Sequence, residues 1–351
     1  MDPLTHAISG AALARAFPKE KLPARQLVLI ILLAMAPDSD IVLRLISDPV
    51  YLQHHRGLTH SLLMLPLWGW LIFSLSSGQV KQNPAMPKLI GLALLLHISL
   101  DVITAYGTML FAPLSDQRFS VDLLFIIDPL FSACLLIPLL ASLIWKQQAR
   151  RLGMVSFILA IAYLSLAYSN QQQAIALIKK AHPDAGSYHA LPLAFSPFNW
   201  QLIAEYPDHY ARAAVNLKPD FPGLRPLFDE TFITTLLSTT IGDANQIVWQ
   251  ELPAMHTVTD MVQLPGTAFY AWFARFPVLL KQDKNAIDFG DLAFGGGAPG
   301  VHASFQLHID LNNNLTNRSP ASQPQAWLIW RADRKSELKQ TAAPFNWLPD
   351  K

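Results

Sequence analysis

Eight consecutive residues, His54-His55-Arg56-Gly57-Leu58-Thr59-His60-Ser61, set three imidazoles, a guanidinium and two hydroxyls at the mouth of an apolar stretch, Leu62 to Leu75. Imidazoles are the commonest metal ligands, and a guanidinium grips phosphate or carboxylate oxygens with a planar fork. The octapeptide also reads as a polar interfacial loop with Thr59 as a helix cap. The other His and Asp residues bear on this choice. His97 and Asp101 are four apart, so on a helix both project from one face, and Thr104 and Thr108 continue that polar stripe. Ionisable groups inside an apolar segment are costly and by default face the protein interior, where they mark function. A structural His–Asp hydrogen bond between helices is the alternative.

Asp38 and Asp40 flank Ser39 directly after Pro37. On a helix they diverge by roughly 200°, so one of the two points inward. Asp40 is taken as a ligand and Asp38 as its support or as a base, with the opposite assignment nearly as good. Pro37 breaking the segment and Asp38 capping the next turn is the plainer account. His6 lies on a helix of small apolar residues, where a lone imidazole is a packing residue as readily as a ligand. Gly57 disfavours one continuous helix through the octapeptide. His55 and His60, five apart, would diverge by about 140° on a helix, so they converge only through a bend, with His54 facing out. Asp116, Asp122 and Asp128 are further acidic positions, Asp128 standing before Pro129 in an apolar run. The tail histidines, His182, His189, His209, His256, His302 and His308, lack ligand spacing and read as surface residues.

His6, Asp40, His55, His60, His97 and Asp101 together make a nitrogen-and-oxygen ligand set without thiolate. Such donors suit a divalent metal, with zinc first and manganese or iron as alternatives. Six exceed one tetrahedral site, so either two metals bind or some of the six orient the others. A metal held there would acidify bound water and supply a nucleophile. Glu20 is the only glutamate up to Asn170, so a general base there is Asp or His, and Asp38 is the one chosen. Arg56 would hold a phosphate or carboxylate oxygen, or else serve as an interfacial charge.

The elements that must position these groups are apolar. Of 351 residues, 52% are hydrophobic and 15% charged, against about 25% charged in an ordinary soluble domain. Mean hydropathy is +0.27. Net charge is +1, with no basic tract dense enough for nucleic acid, and the single cysteine, Cys134, excludes a disulfide framework and a thiolate site. The acidic residues sit mainly after Asn170, which points to a membrane half followed by a soluble half. Candidate spans are Leu27 through Pro37 to Leu43, Leu58 to Ser76, Leu89 to Phe111, Leu123 to Trp145 and Leu152 to Ser169. The first reaches bilayer length only if it continues through Pro37-Asp38-Ser39-Asp40, and is otherwise re-entrant. Ala34-Met35-Ala36 mimics a signal-peptide cleavage site, but the basic region before it is long and cleavage would discard His6. With five spans and the N-terminus inside, Arg15, Lys19, Lys21, Arg25, Lys81, Lys88, Lys146, Arg150 and Arg151 are cytoplasmic and the tail is exported.

The tail carries short strand-like runs bounded by Pro, Gly and Asn: Phe269 to Leu280, Val301 to Leu311 and Ala326 to Arg331. Gly295-Gly296-Gly297 lacks the context of a phosphate loop and reads as a turn. No internal repeat is visible. The expected fold is an α-helical membrane domain of about five spans over residues 1–170, a helical connector over 171–184, and a soluble, mainly β domain over 185–351.

The ordered motifs resemble the YdjM-like inner-membrane proteins, a family described as metal-dependent hydrolases. They are Asp2-Pro3-Leu4-Thr5-His6, Ala36-Pro37-Asp38-Ser39-Asp40, His55-Arg56-Gly57-Leu58-Thr59-His60-Ser61, His97 with Asp101, and Thr104-Ala105-Tyr106-Gly107. The likeness continues through Pro197-Phe198-Asn199-Trp200 and Trp272-Phe273-Ala274-Arg275-Phe276-Pro277 to Phe289-Gly290-Asp291-Leu292. The resemblance implies a bacterial inner-membrane location and a metal site on His6, Asp38 or Asp40, His55, His60, His97 and Asp101. The family is also described as binding the LexA repressor, a contact that an exported tail could not make. The functional expectation is a multi-pass, metal-dependent hydrolase acting on an amphiphilic or phosphate-ester substrate at the outer face, with Asp38 and Arg56 in catalysis. The expected partners are the bilayer, that substrate and a protein docking on the C-terminal domain. A non-catalytic scaffold with a structural metal site is the alternative, and a metal or proton transporter is a third reading.

Overall fold

The computed structural model describes residues 1–194, 196–217, 242–243, 247–258, 266–295, 305–311, 325–331 and 334–337. A helical N-terminal region leads into a sheet-rich C-terminal region.

Helix α1 (Pro3–Ala16) runs through the middle of the helical region. Pro3 stands at its first turn, and the Asp2 carboxylate accepts the Thr5 backbone N–H at 3.0 Å, satisfying a donor that the helix start leaves open. Its small residues let neighbours approach closely. A Cβ on Gly10 would lie 2.6 Å from the Ala34 Cβ, just past the end of α2 (Ala24–Leu33). From the other side, Gly153 comes so near α1 that a Cβ there would lie 2.8 Å from the Ala16 nitrogen.

After α2 the chain enters a 3-10 segment, Ala36–Leu45, with Pro37 in its first turn, and then the short α3 (Asp48–His54), whose N-terminus is capped by Ser47. A second 3-10 turn, Leu58–His60, precedes α4 (Leu65–Leu75). After a single helical turn, α5 (Gly78–Lys81), α6 (Met86–Val102) returns across the bundle. Helix α7 (Pro129–Ile144) is capped by the Asp128 carboxylate, which also accepts the Tyr163 hydroxyl, so this buried acid anchors a helix start. Helix α8 (Ala149–Ala181) has 33 residues, about 50 Å of helix.

Among the described residues, Lys146–Ala181 is the one helix long and apolar enough to cross a membrane. The pairs Ala24–Leu33 with Ala36–Leu45 and Asp48–His60 with Leu65–Leu75 qualify only jointly, bent by 55° and 77°, and Pro129–Ile144 is apolar but shorter. The site-bearing segments are thus broken where the sequence suggested continuous spans. Helix α6 stops at Val102 and does not run to Phe111. Thr104 turns its hydroxyl back onto the Asp101 carbonyl at 2.8 Å, and Gly107 takes a φ of 89°. The chain then doubles back, with Thr108 exchanging two 2.9 Å backbone bonds with Phe119.

The C-terminal region holds two sheets. One has the order β1 (Ser187–Pro192), β2 (Asn199–Glu205), β3 (His209–Asn216) and β4 (Gly242–Asp243), with β5 (Gln250–Pro253) also on β3. The other runs β10 (Arg334–Glu337), β9 (Gln325–Arg331), β8 (Gln306–Asp310), β7 (Ala286–Asp291) and β6 (Pro277–Gln282), antiparallel throughout. Strand β8 falls within the expected run Val301 to Leu311 and β9 covers the run Ala326 to Arg331 from one residue earlier, but residues 301–304 and Gly296-Gly297 lie outside the described residues. The run Phe269 to Leu280 is not one strand. It begins as helix α9 (Thr267–Phe273), started by left-handed Gly266, because Phe269, Tyr270 and Phe273 on one helical face all reach the apolar core.

The two regions share that core: Tyr51, Leu52 and Tyr106 of the helical half pack with Phe273 and Phe289. A charged clasp closes the same seam. Arg275 grips both oxygens of Asp122, at 2.7 and 2.9 Å, and the Ala105 carbonyl at 2.9 Å. Buried Asp291, whose carboxyl is pushed up by burial, accepts the backbone N–H groups of Arg275, Phe276 and Ala293 and so fixes the start of β6. Replacing Arg275 by Ala removes a bidentate charged contact and is expected to cost about 2 kcal/mol. A lowered thermal unfolding midpoint of the detergent-solubilised chain checks this, and an unchanged midpoint would show the clasp to be inert.

Candidate metal centre

The breaks in the helices bring the sequence motifs together. Asp38 and Asp40 arrive on the 3-10 segment, His60 on the second 3-10 turn, His97 and Asp101 on one face of α6, and His6 on α1. Asp38, His60, His97 and Asp101 each offer one atom, all within 4.8 Å of one another. The Nε2 atoms of His60 and His97 are 3.1 Å apart, and Asp101 Oδ2 lies 3.0 Å from the first and 3.3 Å from the second. Asp38 Oδ1 is 3.4 and 3.6 Å from the same two nitrogens. Ligand atoms bonded to zinc at about 2.0–2.1 Å stand about 3.4 Å apart in a tetrahedron, so these spacings fit the edges of a coordination shell.

Hydrogen bonding settles which ring nitrogens carry protons. His97 Nδ1 lies 2.7 Å from the Ala34 carbonyl, which only accepts, so Nδ1 is the donor. The Thr59 hydroxyl donates to Asp40 Oδ2 at 3.1 Å, and its oxygen accepts from His60 Nδ1 at 2.9 Å. In neutral rings both Nε2 atoms are therefore bare lone pairs, 3.1 Å apart, facing carboxylates. Only a cation or an added proton makes that arrangement favourable. Asp101 Oδ2 and both ring nitrogens of His6 are buried without a hydrogen-bond partner. Unpartnered buried polar atoms are expensive, and a metal accepting the lone pairs of Asp101 Oδ2 and of one His6 nitrogen would satisfy those two, the other His6 nitrogen carrying the ring proton. The donor set, two imidazoles and two carboxylates, fits zinc, manganese or iron.

Around these four, His6 lies close by and the remaining residues stand one step back. His6 stacks on His97 at 3.7 Å between ring centroids and brings Nε2 to 3.4 Å from Asp101 Oδ1. Asp40 and His55, read from the sequence as ligands, bond to each other at 2.9 Å. Asp40 also accepts the Arg56 backbone N–H at 3.1 Å, while His55 stacks on Tyr51. The two aspartates thus take the arrangement opposite to the sequence expectation, with Asp38 facing the imidazoles and Asp40 behind them. A 3-10 path brings Asp38 round in a way that straight-helix geometry does not. Arg56 is buried and donates from Nη2 to Asp101 Oδ1 at 2.8 Å and from Nη1 to Thr104 Oγ1 at 3.0 Å. Its φ of 60° is unusual for a residue with a side chain, and it is held there by Asp40 on its N–H and Met109 on its carbonyl. The Met1 amino group also contacts the Asp101 carboxylate. Tyr106 and Arg118, which stack beside Arg56, were not singled out by spacing. Thr104-Ala105-Tyr106-Gly107 marked the stretch but not its contacts.

Residues 1–174 match the YdjM inner membrane protein family. The N-terminal half of the chain belongs to that family. All of the residues just described at the centre fall inside the match, while Arg275 and Asp291 lie beyond it. A relative from Bacillus subtilis (strain 168), the uncharacterized protein YfhP, is 33% identical over 138 residues, covering 37% of this chain. The alignment spans less than half of that relative's length, 42%. No solved structure matches the chain.

If Asp40 and Thr59 orient His60, then Asp40→Asn and Thr59→Val leave every facing atom in place yet weaken metal binding roughly 10–100-fold. Competition against a chromophoric chelator measures it. Affinity unchanged in both variants would separate this relay from the metal.

Proposed function

We propose that the protein is an integral membrane, metal-dependent hydrolase. The observation that carries this reading is the facing pair of His60 and His97 Nε2 atoms, 3.1 Å apart, with Asp101 Oδ2 unpartnered beside them. In this reading His60, His97, Asp101 and Asp38 hold a divalent metal, His6 completes the shell, and Asp40, Thr59 and His55 orient it. Bound there, the metal would bring the pKa of a water towards 7 and so supply a nucleophile at neutral pH.

The chain's own groups provide the rest. Asp38 is the open member of the set, with its side chain 23% exposed where the other three are sealed. Its Oδ1 faces the imidazoles and its Oδ2 is 4.0 Å from His6 Nε2, so Oδ2 can accept the proton released by the attacking water. Arg56, pinned to Asp101, supplies a fixed positive charge for an anionic substrate oxygen. Beyond Asp38 the 3-10 segment exposes Ile41, Val42 and Leu45, and Ile46 just after it is exposed too. This apolar approach supports a substrate that enters from the bilayer, an amphiphile or phosphate ester.

The same reading makes the protein multi-pass, with five crossings in which the two bent pairs each count as one. The site then lies near the outer face and the sheet-rich region is periplasmic, free to receive a protein partner there. A reporter fused after Lys351 is expected to show periplasmic activity, and cytoplasmic activity would overturn this topology. For the chemistry, purified protein loaded with zinc or manganese is offered phosphomonoesters, phosphodiesters and carboxylic esters. Hydrolysis of at least one, reduced at least 100-fold in both His97→Ala and Asp38→Asn, is the expected result. Bound metal with no turnover of any ester would favour the non-catalytic scaffold.

A further inference from the structure

Beside the metal centre lies a second group of buried polar atoms, in which Tyr106 and Arg118 also interact with each other. Arg56 Nε, Tyr106 Oη, Thr108 Oγ1 and Arg118 Nη2 are all buried without a hydrogen-bond partner. The backbone places them side by side. The Arg56 carbonyl accepts the Met109 N–H at 2.9 Å, and Thr108 pairs with Phe119, so Thr108 stands between the segments that carry the two arginines. Both guanidiniums lie against the Tyr106 ring, Arg56 at 4.9 Å and Arg118 at 4.5 Å from its centroid. Arg118 donates to the Phe273 carbonyl, and among the described residues no carboxylate is within ion-pair distance of it.

Three features of this group point to an anion. All four free atoms can donate, and two belong to cations. Arg56 has its other two nitrogens fixed by Asp101 and Thr104, which sets Nε and joins the group to the metal centre. The charges also fail to cancel once a divalent ion is present. Asp38, Asp40, Asp101 and Asp291 then face that ion, Arg56, Arg118 and the Met1 amino group, leaving one positive charge in excess with neutral imidazoles. Buried net charge is costly unless paired. A planar carboxylate has two oxygens for these donors, whereas a tetrahedral oxyanion has enough for all.

We propose that Arg56, Tyr106, Thr108 and Arg118 form a subsite for a phosphoryl group adjoining the metal centre. This rests on the hydrolase reading and narrows its substrate to a phosphate ester. Arg118 would be a binding residue delivered by the loop after α6. The C-terminal region, through Phe273, would be the wall that holds it in place.

The test is orthophosphate binding by the detergent-purified full chain, measured by calorimetry with zinc present and again after chelation. Wild type is expected to bind orthophosphate, with sulfate competing and acetate not. Tyr106→Phe, which keeps the ring, and Arg118→Gln should each weaken binding at least tenfold, with zinc content and the unfolding midpoint unchanged in Tyr106→Phe. A short-chain phosphatidic acid that binds more tightly than orthophosphate would assign the group to a lipid headgroup. Equal binding would assign it to a water-soluble ester. No phosphate binding by wild type, equal competition by acetate, or unchanged affinity in both variants would overturn the subsite. Phosphate binding that depends on Tyr106 and Arg118 in a chain that takes up no zinc would leave the subsite standing and remove the hydrolase reading instead.

Discussion

Two imidazole nitrogens held 3.1 Å apart, each with its proton on the far side of the ring, are the constraint around which the helical half is arranged. Lone pairs repel at that distance, and the ring orientations persist because the Ala34 carbonyl and the Thr59–Asp40 relay fix them. Each orienting group comes from a place where a helix stops. Ala34 ends α2, Asp40 lies on the 3-10 segment and Thr59 on the turn before α4. Continuous spans would give straighter helices and no centre, because their carbonyls would be consumed within the helices. The small residues of α1 serve the same end, since Gly10, on the helix that also stacks His6 on His97, packs directly against Ala34.

The sheet-rich region takes part in this arrangement. Tyr106 packs edge-to-face with Phe273 and Phe294 and also receives Arg56 against its ring, so the apolar core of the C-terminal region ends at the charged wall of the metal centre. Arg275 on Asp122 and Asp291 on the backbone of Arg275 hold that contact. Water is kept from the inner side of the centre by the protein itself, leaving Asp38 as the opening.

Much of this was legible in the sequence because chemistry-bearing residues are rare in an apolar background. His97 and Asp101 declared one helical face by their spacing, and the change in composition after Asn170 announced a second region that is sheet-rich. The order of Asp38 and Asp40 was less accessible, since straight-helix geometry misplaces side chains on a 3-10 path after proline. Hydropathy overstates the length of α6 for a related reason. Hydropathy continues to Phe111, but a threonine hydroxyl on the Asp101 carbonyl and a left-handed glycine end the helix, and neither registers in a hydropathy window. Phe269 to Leu280 looked like a strand because buried aromatics suit strands and helices alike over a short run. The sequence does not mark Arg118, because its role depends on a fold-back between Thr108 and Phe119 that no local pattern announces.

The central claim is that the His60–His97 pair exists to bind a metal. X-ray absorption at the metal edge of purified, zinc-loaded protein tests it most directly. One metal per chain, with only nitrogen and oxygen neighbours at about 2.0–2.1 Å and the multiple scattering of two imidazoles, is the predicted spectrum. That signal should vanish in His60→Ala combined with His97→Ala. A wild-type protein that retains no stoichiometric metal, or a spectrum unchanged by the double substitution, would contradict the account.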